Sequence, residues 1–367
     1  MSQLSGQTHL QVATRITRAI AQRGRWLMVA CLLMLMHGVA YAQLSERHSF
    51  NVRGDVEMVG NALLTCASCD QSNSGLNNGT AMTMRFVNVS ASGLPSNVPQ
   101  NSSVAALALP TGARVRSAGL YWGGRSGETN QARRSLQFRT PTGGYQAITA
   151  SDFNTFTNQG DAGSRPYTAY RDVTALVAAA GSGTYAAGGL TSDVSGNNNG
   201  GGLGNYGGWA LIVLYEHESK PYRRLMVFDG NAGYVNGANP QSVTVSNLLT
   251  PAAGEFTAYM GALVWEGDGG LTGDQFLLTG AGVRNPGALS DAQSPANNFW
   301  NSGISRLGQR FTAKNPDYVN QFAVDLKLVD ISNVAANASR PRLNNGATGA
   351  TLQFTSSQDA YFPHALV

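Results

Sequence analysis

The sequence predicts an all-β fold, a large antiparallel β-sandwich of jelly-roll type with long Gly/Asn-rich loops. Two observations carry that expectation. From Gln43 onward, short runs of alternating apolar residues are separated by clusters of Gly, Asn and Pro. No long amphipathic helix interrupts them.

The first element in chain order stands outside that fold. Arg15, Arg18, Arg23 and Arg25 precede an unbroken apolar run from Leu27 to Met36, followed by His37-Gly38-Val39-Ala40-Tyr41-Ala42. A basic stretch, a short apolar core and an A-x-A site read as a signal peptide over residues 1–42, cleaved after Ala42. The apolar run is well short of the roughly 20 residues a spanning helix needs, so no stable transmembrane anchor is expected. Cys31 lies inside that run, where a lipid-bearing cysteine does not belong. The expected location is therefore secreted or cell-surface.

Removing the signal also removes the charge. The full chain carries +4, and residues 1–42 hold four Arg and no Lys, Asp or Glu, which leaves 21 basic against 21 acidic residues. A balanced chain with 13% charged residues has no basic footprint for nucleic acid. Residues 43–367 are long enough for a substantial core and show no domain boundary or fixed-period repeat, so one large sandwich domain is expected.

The clearest unit is Gly208–Glu216, a polar turn at His217–Pro221, and Arg223–Asp229, which together read as a β-hairpin. Further strands are expected at Arg114–Trp122, Ser135–Arg139, Phe256–Trp265, Asp274–Leu278, Phe322–Val329, Ala350–Thr355 and within Asp359–Val367. Phe256–Trp265 is apolar on both faces, as an interior strand of a layered sandwich should be. One short helix fits Val173–Ala180, with Asp172 as N-cap and Gly181 after its end. Gly188–Gly208 holds nine Gly and four Asn and reads as a long loop.

Cys66 and Cys69 are the cysteines that remain after cleavage, and export favours a disulfide between them. A redox C-x-x-C should open a helix, whereas Asp70–Gly75 has loop composition. The mature histidines His48, His217 and His364 stand at no zinc-ligand spacing from the pair. Gly202–Gly207 matches G-x-G-x-x-G in form, but a Gly/Asn loop precedes it and a strand follows, the reverse of a dinucleotide site.

The loop Trp265–Asp274 places Glu266, Asp268 and Asp274 on a glycine-rich backbone, with Asp229 at the end of another strand. Oxygen ligands on a sharply turning chain suit a structural calcium ion. Without a full calcium-loop spacing, turn capping is the stronger reading of the same acids. Glu266 and Asp268 could also serve as a glycosidase acid and nucleophile or base, but their spacing fixes no carboxylate separation and any β-protein of this size contains such pairs. Trp122, Tyr206, Trp209, Tyr234, Trp265 and Trp300 fall near strand ends or loops, where exposed rings stack on sugars and buried ones close a core. An intramolecular Lys–Asn isopeptide bond needs a buried lysine, and Lys327 is the strand lysine to consider for one. Strand alternation puts it opposite the apolar face of Phe322, Val324, Leu326 and Leu328, with Ala323, Asp325 and Val329, so burial in the same core is disfavoured. Lys220 and Lys314 fall in loop-like contexts.

The segments Ala118–Gly124, Asp172-Val173-Thr174, Tyr206–Leu211, Val227–Gly230, Glu266-Gly267-Asp268 and Pro295–Phe299 together resemble the uncharacterised N-terminal β-sandwich module of large bacterial surface proteins of adhesin type, which carry tandem Ig-like repeats. The resemblance implies a secreted or surface role, with surface glycans or cell-surface proteins as partners, and brings no catalytic residues. The chain departs from that pattern by ending at Val367 before any such repeat. The leading expectation is a non-enzymatic structural or adhesive module, with a lectin-like glycan binder as alternative and a secreted polysaccharide-acting enzyme as second alternative.

Overall fold

A strand of 19 residues, Leu44–Ala62, organises the fold. The computed structural model describes residues 44–78, 82–156, 164–195 and 203–367, so the signal peptide expected over residues 1–42 lies outside the described residues. Ala42–Val367 forms one compact unit.

The long strand changes partner midway. Residues 44–53 pair antiparallel with Tyr222–Gly230, and residues 54–62 pair antiparallel with Gly207–Glu216. At the switch, the carbonyl of Arg53 accepts from the amide of His217 at 2.8 Å, and the amide of Gly54 donates to the carbonyl of Pro221 at 3.2 Å. Gly54 is required there, because a Cβ would lie 2.2 Å from the carbonyl oxygen of Tyr215. The expected hairpin therefore does not form. Its two strands and polar turn exist, but Leu44–Ala62 lies between the strands in the sheet. Local pattern identifies strands, whereas the choice of partner is made by whatever else offers a matching edge.

The resulting 11-stranded sheet continues from Gly207–Glu216 through Arg114–Ser126, Arg165–Asp172 and Asp152–Thr155. On the other side it runs through Tyr222–Gly230, Phe362–Leu366, Tyr259–Trp265, Val324–Asp330, Ile304–Arg306 and Gln309–Arg310. Its two halves face each other: Tyr121, Ile212 and Leu214 from one half share an interior with Leu225, Leu263, Trp265 and Leu326 from the other.

Alternate residues of the first half, Trp122, Trp209 and Leu211, turn outward onto Phe138 and Tyr185 of a five-stranded sheet. Alternate residues of the second half, Phe228, Val264 and Val329, turn outward onto Phe276, Leu352 and Phe354 of a four-stranded sheet. The all-β, sandwich-type expectation is met, with four layers in place of two. Strands buried on both faces need apolar residues at consecutive positions, which is why Gly207–Tyr215 is buried throughout.

Lys327 lies on the face expected of it, but this layering gives that face a core of its own. The face opposite Leu326 and Leu328 is a second interior, and Lys327 is 1% exposed within it. Lys314 is likewise buried, with its ammonium on Asp317 at 2.8 Å and the carbonyl of Tyr318 at 2.9 Å. The expected helix forms over Thr174–Ala180, one residue later than read, so Val173 and not Asp172 is its N-cap; the Asp172 carboxylate accepts from the Thr174 amide at 2.8 Å, and Gly181 at φ 65° ends the helix. Among the described residues no helix is long and apolar enough to cross a membrane.

Gly54→Val should destabilise the protein by about 3 kcal/mol, as overpacking against fixed backbone does. Urea unfolding should show a lower midpoint with an unchanged slope. An unchanged midpoint would mean that the partner switch tolerates a side chain.

Candidate functional site

Where the strand Tyr259–Trp265 ends, the backbone turns through Glu266 at φ 77°, a left-handed conformation that costs a non-glycine residue about 1 kcal/mol. The turn is held by the Glu266 amide donating to the carbonyl of Ala323 at 2.7 Å, and Ala323 is itself at φ 71°. The following loop is wedged between other loops because its glycines allow it. A Cβ at Gly269 would lie 2.1 Å from the carbonyl oxygen of Ser74, and one at Gly273 would lie 2.0 Å from the Ser357 hydroxyl. Loop 70–78, which follows the Cys66–Cys69 disulfide, and loop 356–359 thus close over the acidic loop.

Four carboxylates are sealed in this junction: Glu266 is 1% exposed, Asp268 4%, Asp274 0% and Asp359 4%. The sequence marks the first three, and the structure adds Asp359, 91 residues from Asp268 in the chain and joined to it by the Asp268 amide at 3.1 Å. Glu266 accepts from the Gly204 amide at 3.2 Å, and Asp268 from the Asn78 amide at 3.1 Å. Asp229 belongs elsewhere. It accepts from Arg47 at 2.6 Å and from the Tyr121 hydroxyl at 2.7 Å, and Arg47 also reaches Asp152 and covers the ring of Tyr170.

Burial is the main force on the charges of the cluster. It raises Glu266 well above the ordinary carboxylate range, reinforced by Asp359 and Asp268. It lifts Asp268 to about 6, against the pull of the Asn78 amide, and Asp274 to about 7. Asp359 is raised well up by burial and then by Asp274 and Asp268. The Ser356 hydroxyl and Asp359 lie near enough to act on the charge of Asp274, yet neither makes a hydrogen bond of ordinary geometry to it, and both of its oxygens are buried without a partner.

Two amide oxygens, Oδ1 of Asn78 and Oδ1 of Asn298, are also buried without a partner. Asn298 is bound to the loop by its own amide donating to the carbonyl of Gly269 at 2.9 Å, and it forms a bridge with Asp274. Orphaned buried acceptors call for a donor or a cation. Calcium takes about six to eight oxygens from carboxylates, amides and carbonyls, and this donor set is of that chemistry. Among the described residues no three His, Cys, Asp or Glu side chains are grouped to hold a metal, so a cation here would have at most two carboxylates and would draw on the amide oxygens too.

The aromatic residues considered for sugar stacking lie mostly inside. Trp122, Tyr206, Trp209, Trp265 and Trp300 are all 0% exposed, and Tyr234 is half-buried. Trp122 donates to the carbonyl of Arg133 at 3.2 Å, Trp209 to Ser103 at 3.0 Å and Trp265 to Nδ1 of His364 at 3.0 Å. Burial holds His364 down at about 3, neutral and free to accept. These rings close the cores between layers.

An open apolar cavity of about 600 Å³ lies elsewhere, between Leu225 and Phe228 of the central sheet and Val245 and Leu352 of the four-stranded sheet. None of the clustered carboxylates lines it.

No protein-family model matches the chain, and no curated protein matches it.

Carboxylates raised by burial make stability depend on pH with a definite sign. The folded state holds protons that the unfolded state has released, so stability falls as pH rises from about 4, the unfolded value, to about 7, by on the order of a few kcal/mol. Thermal unfolding in chelator across that window should show a falling melting temperature. Asp274→Asn, which keeps the shape and removes the charge, should flatten the fall, and an equally steep profile in the variant would remove Asp274 from it.

Proposed function

We propose that the chain is a non-enzymatic, exported structural or adhesive module whose loop end is clamped by a calcium ion held by the carboxylates of Asp274 and Asp359 with the amide oxygens of Asn78 and Asn298. The observation that supports it best is that the chemically exceptional side chains are turned inward. Glu266 and Asp268 are 1% and 4% exposed, beyond the reach of a polymeric substrate. Both oxygens of Asp274 are left without a hydrogen-bond partner in a sealed junction of three loops. Such groups serve to join loops, through shared protons at low pH and through a cation once the carboxylates ionise.

The sequence resemblance to adhesin-type surface proteins and the signal peptide support the exported role. A rigid four-layer stack suits a module that holds partner-binding loops at a distance from a surface, with glycans or cell-surface proteins as the partners. The calcium ion would supply charge neutralisation and would draw its oxygens from loops far apart in sequence.

Calcium should raise the melting temperature by several degrees above pH 7 and much less at pH 5, where protons already neutralise the cluster. Magnesium, which demands a tighter octahedral shell, should do less. Asp274→Asn should abolish the increment, and a melt indifferent to calcium and chelator at both pH values would overturn the clamp. Export has its own readout. N-terminal analysis of protein from the medium or envelope should find Gln43 first, and a full-length chain retained in the cytoplasm would overturn the exported role.

A further inference from the structure

The buried lysine beside the carboxylate junction is placed for a covalent reaction. Lys327 Nζ lies 2.6 Å from Oδ1 of Asn301 and 3.5 Å from Oδ1 of Asp325, whose side chain shares its face of the strand Val324–Asp330. Lys327 and Asp325 are 1% and 0% exposed. We propose that Lys327 and Asn301 form an intramolecular isopeptide bond, with Asp325 carrying the proton.

Three features hold the groups in reacting positions. The Asp325 carboxylate accepts from the Ser302 amide at 3.1 Å and the Gly303 amide at 3.0 Å, which pins the backbone beside Asn301 over the lysine. The Asn301 amide nitrogen donates to the carbonyl of Gln293 at 3.0 Å, so the carboxamide turns its oxygen to the lysine and its leaving nitrogen away. A Cβ at Gly303 would lie 2.9 Å from Nζ, so glycine keeps the approach open.

The strand Ile304–Arg306, which follows this loop, runs parallel to Val324–Asp330 with Ser305 opposite Lys327. The bond would tie the loop ahead of one strand to the strand beside it.

The chemistry balances without an oxidant or a cofactor. Lys327 passes one proton to Asp325 and becomes a neutral amine. Its nitrogen attacks Cγ of Asn301, the Nζ–Cγ bond forms, and Oδ1 carries the charge of the tetrahedral intermediate. A second proton from Nζ is relayed through the Asp325 carboxyl to Nδ2, the Cγ–Nδ2 bond breaks, and ammonia leaves. A lysine ammonium, a carboxylate and a carboxamide become a secondary amide, a neutral carboxylic acid and ammonia.

Burial favours the neutral partners. It lowers Lys327 despite the charges of Asp325 and Asp291, and it raises Asp325 to about 6 despite Lys327 and the two amides. Exchanging a buried ion pair for neutral groups removes a desolvation cost.

The test is a tryptic map of the denatured, reduced protein by mass spectrometry. Intact mass alone does not decide, because Gln43 at a mature N-terminus can cyclise with the same loss of ammonia. The expected product joins Asn285–Arg306 to Asn315–Arg342, uncut at Lys327 and lighter by one ammonia. Lys327→Arg and Asn301→Ala should each abolish it. Asp325→Ala should leave the two peptides separate in protein whose circular dichroism shows it folded. Wild-type protein that yields both peptides unlinked, cut after Lys327 and at full mass, would overturn the proposal.

Discussion

The architecture depends on one backbone handover, at Arg53 and Gly54 in the strand Leu44–Ala62. A long strand in a twisted sheet cannot keep one neighbour along its whole length while that neighbour also folds into another layer. Here the strand serves two neighbours in turn, and the chain that follows Gly207–Glu216 crosses to the other half of the sheet at residues 217–221. Beyond the handover, the strands Gly207–Glu216, Tyr259–Trp265 and Val324–Asp330 have an interior on both sides. Arg47, earlier in the same strand, reaches Asp229 and Asp152 while lying over the ring of Tyr170, and so joins strands from both halves of the large sheet.

Burial on both faces explains the unusual polar interior. With two extra layers, positions that would be solvated in a two-layer sandwich become core, and the ionisable residues that fall there must find partners. Lys327 meets Asp325 and Asn301, Lys314 meets Asp317, and Asp229 meets Arg47 and Tyr121. The acidic loop is the exception. Asp274 is buried among other carboxylates with neither oxygen satisfied, and burial without a partner is costly unless a proton or a cation completes the site. That imbalance, set in a loop pressed against Ser74 and Ser357 by its glycines, singles it out from the structural ion pairs.

Several particular elements were legible before the fold was known. The strand at Ser135–Arg139 has the bounds read from its alternation, and the helix before Gly181 differs by one residue. Cys66 and Cys69 pair, as export and spacing suggest. The strand at Leu44–Ala62 was not anticipated, because its first half mixes Ser, Glu, Arg, His and Asn with isolated apolar residues and shows no clean period. Without it, the two strands around His217–Pro221 have only each other to pair with, and a hairpin follows. In the site, the acids of the glycine-rich loop stand out locally. Asp359, Asn78 and Asn298 carry no local mark, since each reaches the loop from a distant part of the chain.

The all-β class, the disulfide and the acidic glycine-rich loop can be read from local pattern, because alternation, cysteine spacing and glycine content act over a few neighbouring residues. Tertiary structure alone decided which strand pairs with which, how many layers stack, and that the face carrying Asp325 and Lys327 is an interior. Whether a strand's second face meets water or another sheet depends on residues tens to hundreds of positions away. Alternation along one strand is the same in either case.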